Sequence, residues 1–170
     1  MAFNVAEFRS QMTGDGARPN LFQVSLTFPA IAAGGSVAGQ KVTFMAKAAQ
    51  LPGSTIGTVP VYYFGRELKF AGNRTFTDWT LQIINDEDFA IRNALESWMN
   101  AINSHGGNVR NAAAGSPTGY TVDAKVDQYS KTGDVLKSYK FVGLFPLDIA
   151  AIDLDWQSND SIEEYSATFA

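Results

Sequence analysis

Residues 120–129 read YTVDAKVDQY, and this stretch decides the fold class. Tyr120, Val122, Ala124 and Val126 alternate with Thr121, Asp123, Lys125 and Asp127. A period of two puts the first set on one face of a β-strand and the second set on the other, whereas a helix would scatter both around its circumference. The run leads into Thr132-Gly133-Asp134, a turn of hairpin length, and then into Val135–Phe145, which reads as the partner strand with Pro146 as its stop.

The same period recurs on both sides of this hairpin. Phe22, Val24, Leu26 and Phe28 share a face, as do Trp79, Leu81 and Ile83. Ile152, Leu154 and Trp156 alternate with Asp153, Asp155 and Gln157, and Ile162–Ala170 reads as a last strand. Residues 29–39, PAIAAGGSVAG, are expected to form a flexible hairpin tip that turns at Gly34-Gly35, with Gln40–Ala48 as the returning strand. Residues 50–60, QLPGSTIGTVP, hold two prolines and two glycines, which excludes a central strand and predicts a loop. Val61–Ala71 is β-prone through Tyr62, Tyr63, Phe64 and Phe70, with Gly72-Asn73 as its turn.

One stretch has a helical period. Ile91, Leu95, Trp98, Met99 and Ile102 fall on one face, with Asn85 as the expected N-cap and Asp86, Glu87 and Asp88 in the first turn. His105 and Gly106-Gly107 end it. The sum is a mainly β sandwich or barrel with one flanking α-helix at about 86–104. It is expected to form a single domain over residues 1–170, with a short N-terminal arm at 1–16.

Little in the sequence could do chemistry. There is no Cys, which excludes disulfides, thiolate metal sites and a cysteine nucleophile. The one histidine, His105, sits at a helix C-terminus, where an imidazolium serves as a cap. Asp153, Asp155 and Asp160 have the opening spacing of a calcium loop, but the run DLDWQSND lacks the turn glycine and the distal Glu. Their alternation with apolar residues reads instead as a solvated strand face. Trp79, Trp98 and Trp156 all stand at apolar positions, which points to core packing rather than a sugar platform. No enzyme activity, cofactor or metal is expected. Glu7 and Arg9 interrupt what a secretory leader would need to keep apolar, and no run is long enough to span a membrane, so neither export nor stable membrane insertion is expected.

Charge is distributed unevenly. Residues 141–170 hold six acids and no base, while the first 140 hold thirteen bases and eleven acids without a basic cluster to grip phosphates. From Pro19 to Gly65 the only charged residues are Lys41 and Lys47, although the chain averages 18%. Such depletion is what the buried centre of an interface shows, in a protein that works by assembling with itself; a pair of core strands joined by uncharged loops would read the same way.

Three stretches resemble the tail tube proteins of contractile-tailed, T4-like bacteriophages. They are Ala17-Arg18-Pro19-Asn20-Leu21-Phe22-Gln23-Val24; the series from Leu51-Pro52 through Val59-Pro60-Val61 and Ala71–Phe76 to Asp78-Trp79-Thr80 and Asn85-Asp86-Glu87; and Gly143-Leu144-Phe145-Pro146 with Leu154–Asn159 and Ile162. The resemblance implies two packed antiparallel sheets with one helix. It also implies six subunits to a ring and rings stacked into a hollow tube inside a contractile sheath, with baseplate and terminator proteins at the ends. The tube penetrates the host envelope and conducts double-stranded DNA without binding it specifically. The chain would then lie in the virion tail after assembly in the host cytoplasm. Two rivals are the inner tube of a related secretion or bacteriocin machine, and a monomeric carbohydrate-binding sandwich. Within a tube, the uncharged and stiff segment containing Leu51, Pro52, Ile56, Val59 and Pro60 is expected to contact the adjacent ring. Glu67, Asp123 and Asp127 are the candidates for an acidic lumen, where like charge would keep DNA from sticking.

Overall fold

The computed structural model describes residues 4–170. Along the chain these form α1 (Val5–Gln11), β1 (Phe22–Leu26), α2 (Gly35–Met45), β2 (Ala46–Ala49), β3 (Ser54–Tyr63), β4 (Arg66–Phe76), β5 (Trp79–Ile84), α3 (Ala90–Ile102), α4 (Pro117–Tyr120), β6 (Val122–Tyr129), β7 (Val135–Leu144), β8 (Pro146–Ile149) and β9 (Glu164–Phe169). The strands make three antiparallel sheets: β1-β6-β7, β2-β5-β9-β8 and the separate pair β3-β4.

The first two sheets share one core with α2 and α3, whereas α1 and α4 bury no residue. Val24, Leu26, Ala124 and Val126 enter it from the three-stranded sheet, in the alternation seen in the sequence. Trp79, Leu81, Ile83, Tyr165, Ala167 and Phe169 enter it from the four-stranded sheet. Trp79 stacks on Phe141 of β7 with ring centroids 4.5 Å apart. On α3, Ile91, Ala94, Leu95 and Trp98 are buried at helical spacing. Trp98 meets Phe28 edge-on at 5.8 Å and lies 6.3 Å from Phe169, so it joins helix and sheet.

Several expectations require correction. Residues 35–45 are a helix, not a hairpin tip with a returning strand, and only Ala46–Ala49 pairs as a strand. The buried residues Gly35, Ala38 and Val42 recur at a helical spacing. Gly35 is required there, because a Cβ would come within 2.6 Å of the Phe28 Cβ. Helix α3 begins at Ala90 rather than 86, since Phe89 takes a left-handed φ of 53°. Asn85 therefore does not cap it. Its side chain donates to the Glu163 carboxylate at 2.7 Å, and its N–H donates to the Glu163 carbonyl at 2.9 Å. Asp86 and Asp88 instead hold the Lys41 ammonium of α2 between them.

The segment read as a loop at 50–60 contains most of β3. Proline is tolerated there because β3 has a single partner, so Pro60 stands on an edge and removes no inner ladder bond. The turn of this hairpin is Phe64-Gly65, with φ of 45° and 75°, and not Gly72-Asn73, which lies within β4. Pro146 does not end the pairing but opens β8. The alternating run Ile152–Trp156 is no strand, and Trp156 is 99% exposed, while Trp79 and Trp98 are in the core.

Candidate assembly surfaces

The β3-β4 hairpin is the most unusual surface of the chain. None of residues 54–70 is buried or half-buried. The register pairs Val59 with Phe70 and Val61 with Leu68, which puts four apolar side chains on one face. Pro60 pairs with Lys69 and Tyr62 with Glu67, so the other face is mixed. A bulge, where Gly72 and Asn73 stand against Gly57, shifts the register before Ile56 meets Arg74. Ile56 consequently shares the mixed face with Pro60, Lys69 and Arg74. The tip carries Tyr62, Tyr63 and Phe64, the last 89% exposed. Soluble monomers rarely leave so much contiguous apolar surface in water.

The five residues singled out for ring contact thus do not form one patch. Leu51 and Pro52 lie at the root, where Gly53 N–H donates to Thr77 Oγ1 at 3.1 Å and Thr77 N–H donates back to the Gly53 carbonyl at 3.2 Å. Ile56 and Pro60 share one face and Val59 the other. Sequence reasoning missed Leu68, Phe70 and the aromatic tip as parts of this surface. The signal was present in the β-propensity of Val61–Ala71 but was read without its pairing partner.

The solvent face of β1-β6-β7 is the second surface. Asp123 stands on it exposed, whereas Asp127, in the same strand phase, is buried, and each is in an ion pair. Lys140 Nζ lies 2.8 Å from Asp123, and Lys125 Nζ lies 2.8 Å from Asp127. The bond from Lys140, helped by the Gly143 N–H at 3.3 Å, holds the Asp123 carboxyl below its ordinary pKa. Burial pushes the Asp127 carboxyl up, but the bonds from Lys125 and from the Ser138 hydroxyl outweigh it and leave it below the usual value. Within one copy this face is balanced rather than acidic. Glu67 stands in the β3-β4 sheet, apart from the other two.

The third surface is the connection between β8 and β9. Leu154, Trp156 and Ile162 are exposed there among Asp153, Asp155 and Asp160. Asp155 Oδ1 accepts the Gln157 N–H at 3.0 Å, and the Asp155 carbonyl accepts the Ser158 N–H at 3.1 Å, so the loop carries a defined turn. Among the described residues no cluster of three or more His, Cys, Asp or Glu is arranged to hold a metal ion. No helix of the described residues is long and apolar enough to cross a membrane. With two of the three tryptophans in the core, there is no three-tryptophan platform for a sugar.

Comparison with known proteins agrees with this architecture. The chain is 34% identical to the tail tube protein of Enterobacteria phage T4 over 163 residues, which covers 95% of this chain and 93% of the relative. It is 28% identical to the tail tube protein of Serratia phage KSP90 over 164 residues, covering 95% and 90%. Among solved structures, the fold matches a chain of the tube-terminating cap of the anti-feeding prophage with a TM-score of 0.64 at 18% identity, covering 91% of this chain and 85% of that one. It matches a chain of the sheath-tube complex of an extracellular contractile injection system with a TM-score of 0.59 at 16% identity, covering 99% and 93%. The sequence also matches the phage tail tube protein family over residues 17–170, and the chain belongs to that family.

Proposed function

We propose that this chain is the repeating subunit of a phage tail tube in which rings of six copies stack into a hollow cylinder. The tube would sit inside a contractile sheath, end on baseplate and terminator proteins, pierce the host envelope and conduct double-stranded DNA. The observation that carries this reading is the β3-β4 hairpin, apolar along one face and at its tip and covered by nothing in its own chain. Its length and its unpaired edges suit addition to a neighbour's sheet, the physical remedy for an open strand edge. The balanced face of β1-β6-β7 suits a lumen, because paired charges offer phosphates no net attraction. The fold shared with contractile injection systems leaves the same tube architecture available to a machine that delivers other cargo; the closer kinship in sequence favours the phage tail.

In this assembly Leu51–Pro60 reaches the adjacent ring. The test is Ile56→Asp. Ile56 is 51% exposed in the single chain, so a carboxylate there stays in water until a second copy covers it. Tubes should fail to grow, while the circular dichroism spectrum and melting temperature of the subunit remain nearly unchanged. Normal tube growth, or unfolding of the isolated subunit, overturns the stacking role.

A further inference from the structure

The contact made by Leu51–Pro60 needs a counterpart on the neighbouring ring, and the topology shows where one stands. In the four-stranded sheet Trp79 pairs with Phe169 at one end and Ile84 with Glu164 at the other. The hairpin root joins the Trp79 end. The β8-β9 loop joins the Glu164 end, where Asn85 N–H is bonded to the Glu163 carbonyl. Five residue steps along β5 separate the two ends by roughly 17 Å. The surfaces are therefore at opposite ends of one sheet, the arrangement that heterologous head-to-tail stacking uses.

One end is recessed and the other projects. Beside the hairpin root lies a recess of about 590 Å³ whose lining includes the exposed Phe76 and Val142 and the half-buried Phe141, together with Lys140 and Asp78; the buried Trp79 and Phe169 also border it. At the other end Trp156 projects 99% exposed, on a loop whose turn is already fixed by Asp155. Among the described residues Asp153, Asp155 and Asp160 are in no ion pair, and neither are Arg66, Lys69 and Arg74 of the hairpin. Three acids lie within four residues of the projecting indole, and Arg74, two residues from Phe76, is the hairpin base nearest the recess. An exposed Trp with acidic neighbours and an apolar recess with Arg74 close by fit each other, and they join opposite ends of one sheet of the same chain.

We infer that Trp156 of one copy docks in the Phe76-Phe141 recess of a copy in the adjacent ring, with Asp153 and Asp155 against Arg74. This inference rests on the stacking role of Leu51–Pro60 and names its partner surface. Trp is one of the residues enriched at the well-packed, desolvated anchors of interfaces. The head-to-tail geometry repeats at every ring and so sets one polarity along the tube.

The absence of native cysteine makes a direct test available. Two variants, Gln157→Cys and Ser54→Cys, change exposed positions beside Trp156 and Phe76 while keeping both aromatic rings. The two are mixed, assembled on baseplates and oxidised. Tubes should yield covalent dimers that contain one chain of each kind, and isolated rings should not. Tubes without mixed dimers overturn the inference, and so do mixed dimers that form equally in isolated rings. Trp156→Ala should raise the concentration needed for tube growth by about 30-fold or more, the factor set by the loss of one anchor. Unchanged growth also overturns it. If Ile56→Asp blocks growth while the mixed dimers are absent, only this inference fails. If Ile56→Asp leaves growth normal, the stacking role itself fails.

Discussion

Replacing Trp98 by Ala tests whether α3 is part of the subunit core. Trp98 is fully buried, and its Nε1–H donates to the Tyr120 carbonyl at 2.8 Å. Burying a Trp side chain removes about 150–250 Å² from water, which at about 25 cal/mol per Å² amounts to about 4–6 kcal/mol. Direct Trp→Ala truncations in cores fall at about 3–5 kcal/mol, because the cavity partly relaxes. The freed Tyr120 carbonyl adds less than about 1 kcal/mol, since Tyr120 is only half-buried and water can reach it. The expected loss is therefore about 4–5 kcal/mol. Urea unfolding of the isolated subunit, followed by far-ultraviolet circular dichroism, should show a midpoint lower by about 2 M for a slope of about 2 kcal/mol per M. Trp98→Phe keeps a ring against Phe28 and Phe169 and loses only the N–H bond, so it should lose about 1–2 kcal/mol. A loss below about 1 kcal/mol for Trp98→Ala would refute the reasoning, since the helix would then contribute nothing to the cooperative unit.

Two further predictions concern charge. Asp123→Lys should leave the subunit folded, because its side chain is half in water, but it sets two ammonium groups side by side with Lys140; DNA ejection by assembled particles should slow, and normal ejection would remove β6 from the lumen. Asp127→Lys should instead lower subunit stability by about 1–3 kcal/mol, because it breaks the nearly buried bond from Ser138, which differential scanning calorimetry reads directly. The α2-α3 latch should open in acid: bonds with Asp86 and Lys41 and from the Ala90 N–H hold the Asp88 carboxyl at about 2, below its unfolded value of 3.8. A depressed pKa contributes stability that is complete above the unfolded value and lost as pH falls from there through about 2. Melting temperatures taken across that window should fall more steeply for the native chain than for Lys41→Met, and parallel curves would show that the latch carries no stability.

Where burial imposed a period on the sequence, the sequence revealed the fold. β5, β6 and the buried stripe of α3 are legible because one face of each meets the core, so composition alternates at the spacing of the backbone. Helix α2 is not legible, because Gly35, Val37, Gly39, Val42 and Thr43 are poor helix formers. Tertiary contacts hold it instead: Ala38 and Val42 pack into the core, and Lys41 reaches Asp86 and Asp88, more than forty positions away. The hairpin escaped for the opposite reason. Neither of its faces is buried within the chain, so no solvent boundary marks one set of residues as inside, and the prolines and glycines dominated the reading. The run Ile152–Trp156 misled because it alternates without a partner strand. Its apolar residues have no cover in the chain, and a period of two alone does not distinguish a core face from a projecting one.

The segments that sequence reasoning misjudged in this way are the surfaces proposed to meet other copies. A subunit that must remain soluble until it reaches a growing tube cannot bury its contact surfaces beforehand, so their patterns answer to a partner outside the chain. Its problem is then premature edge pairing, which an exposed ten-residue strand invites. The hairpin carries two of the usual defences: the bases Arg66, Lys69 and Arg74 outnumber the one acid, Glu67, along β4, and Pro60 removes a donor from β3. Two copies meeting hairpin to hairpin bring these bases together and repel. A copy docked as proposed would bring Asp153 and Asp155 to Arg74 and neutralise it. In the proposed docking, charge that opposes the wrong encounter would favour the head-to-tail one, so one pattern would serve both to keep free copies apart and to direct growth.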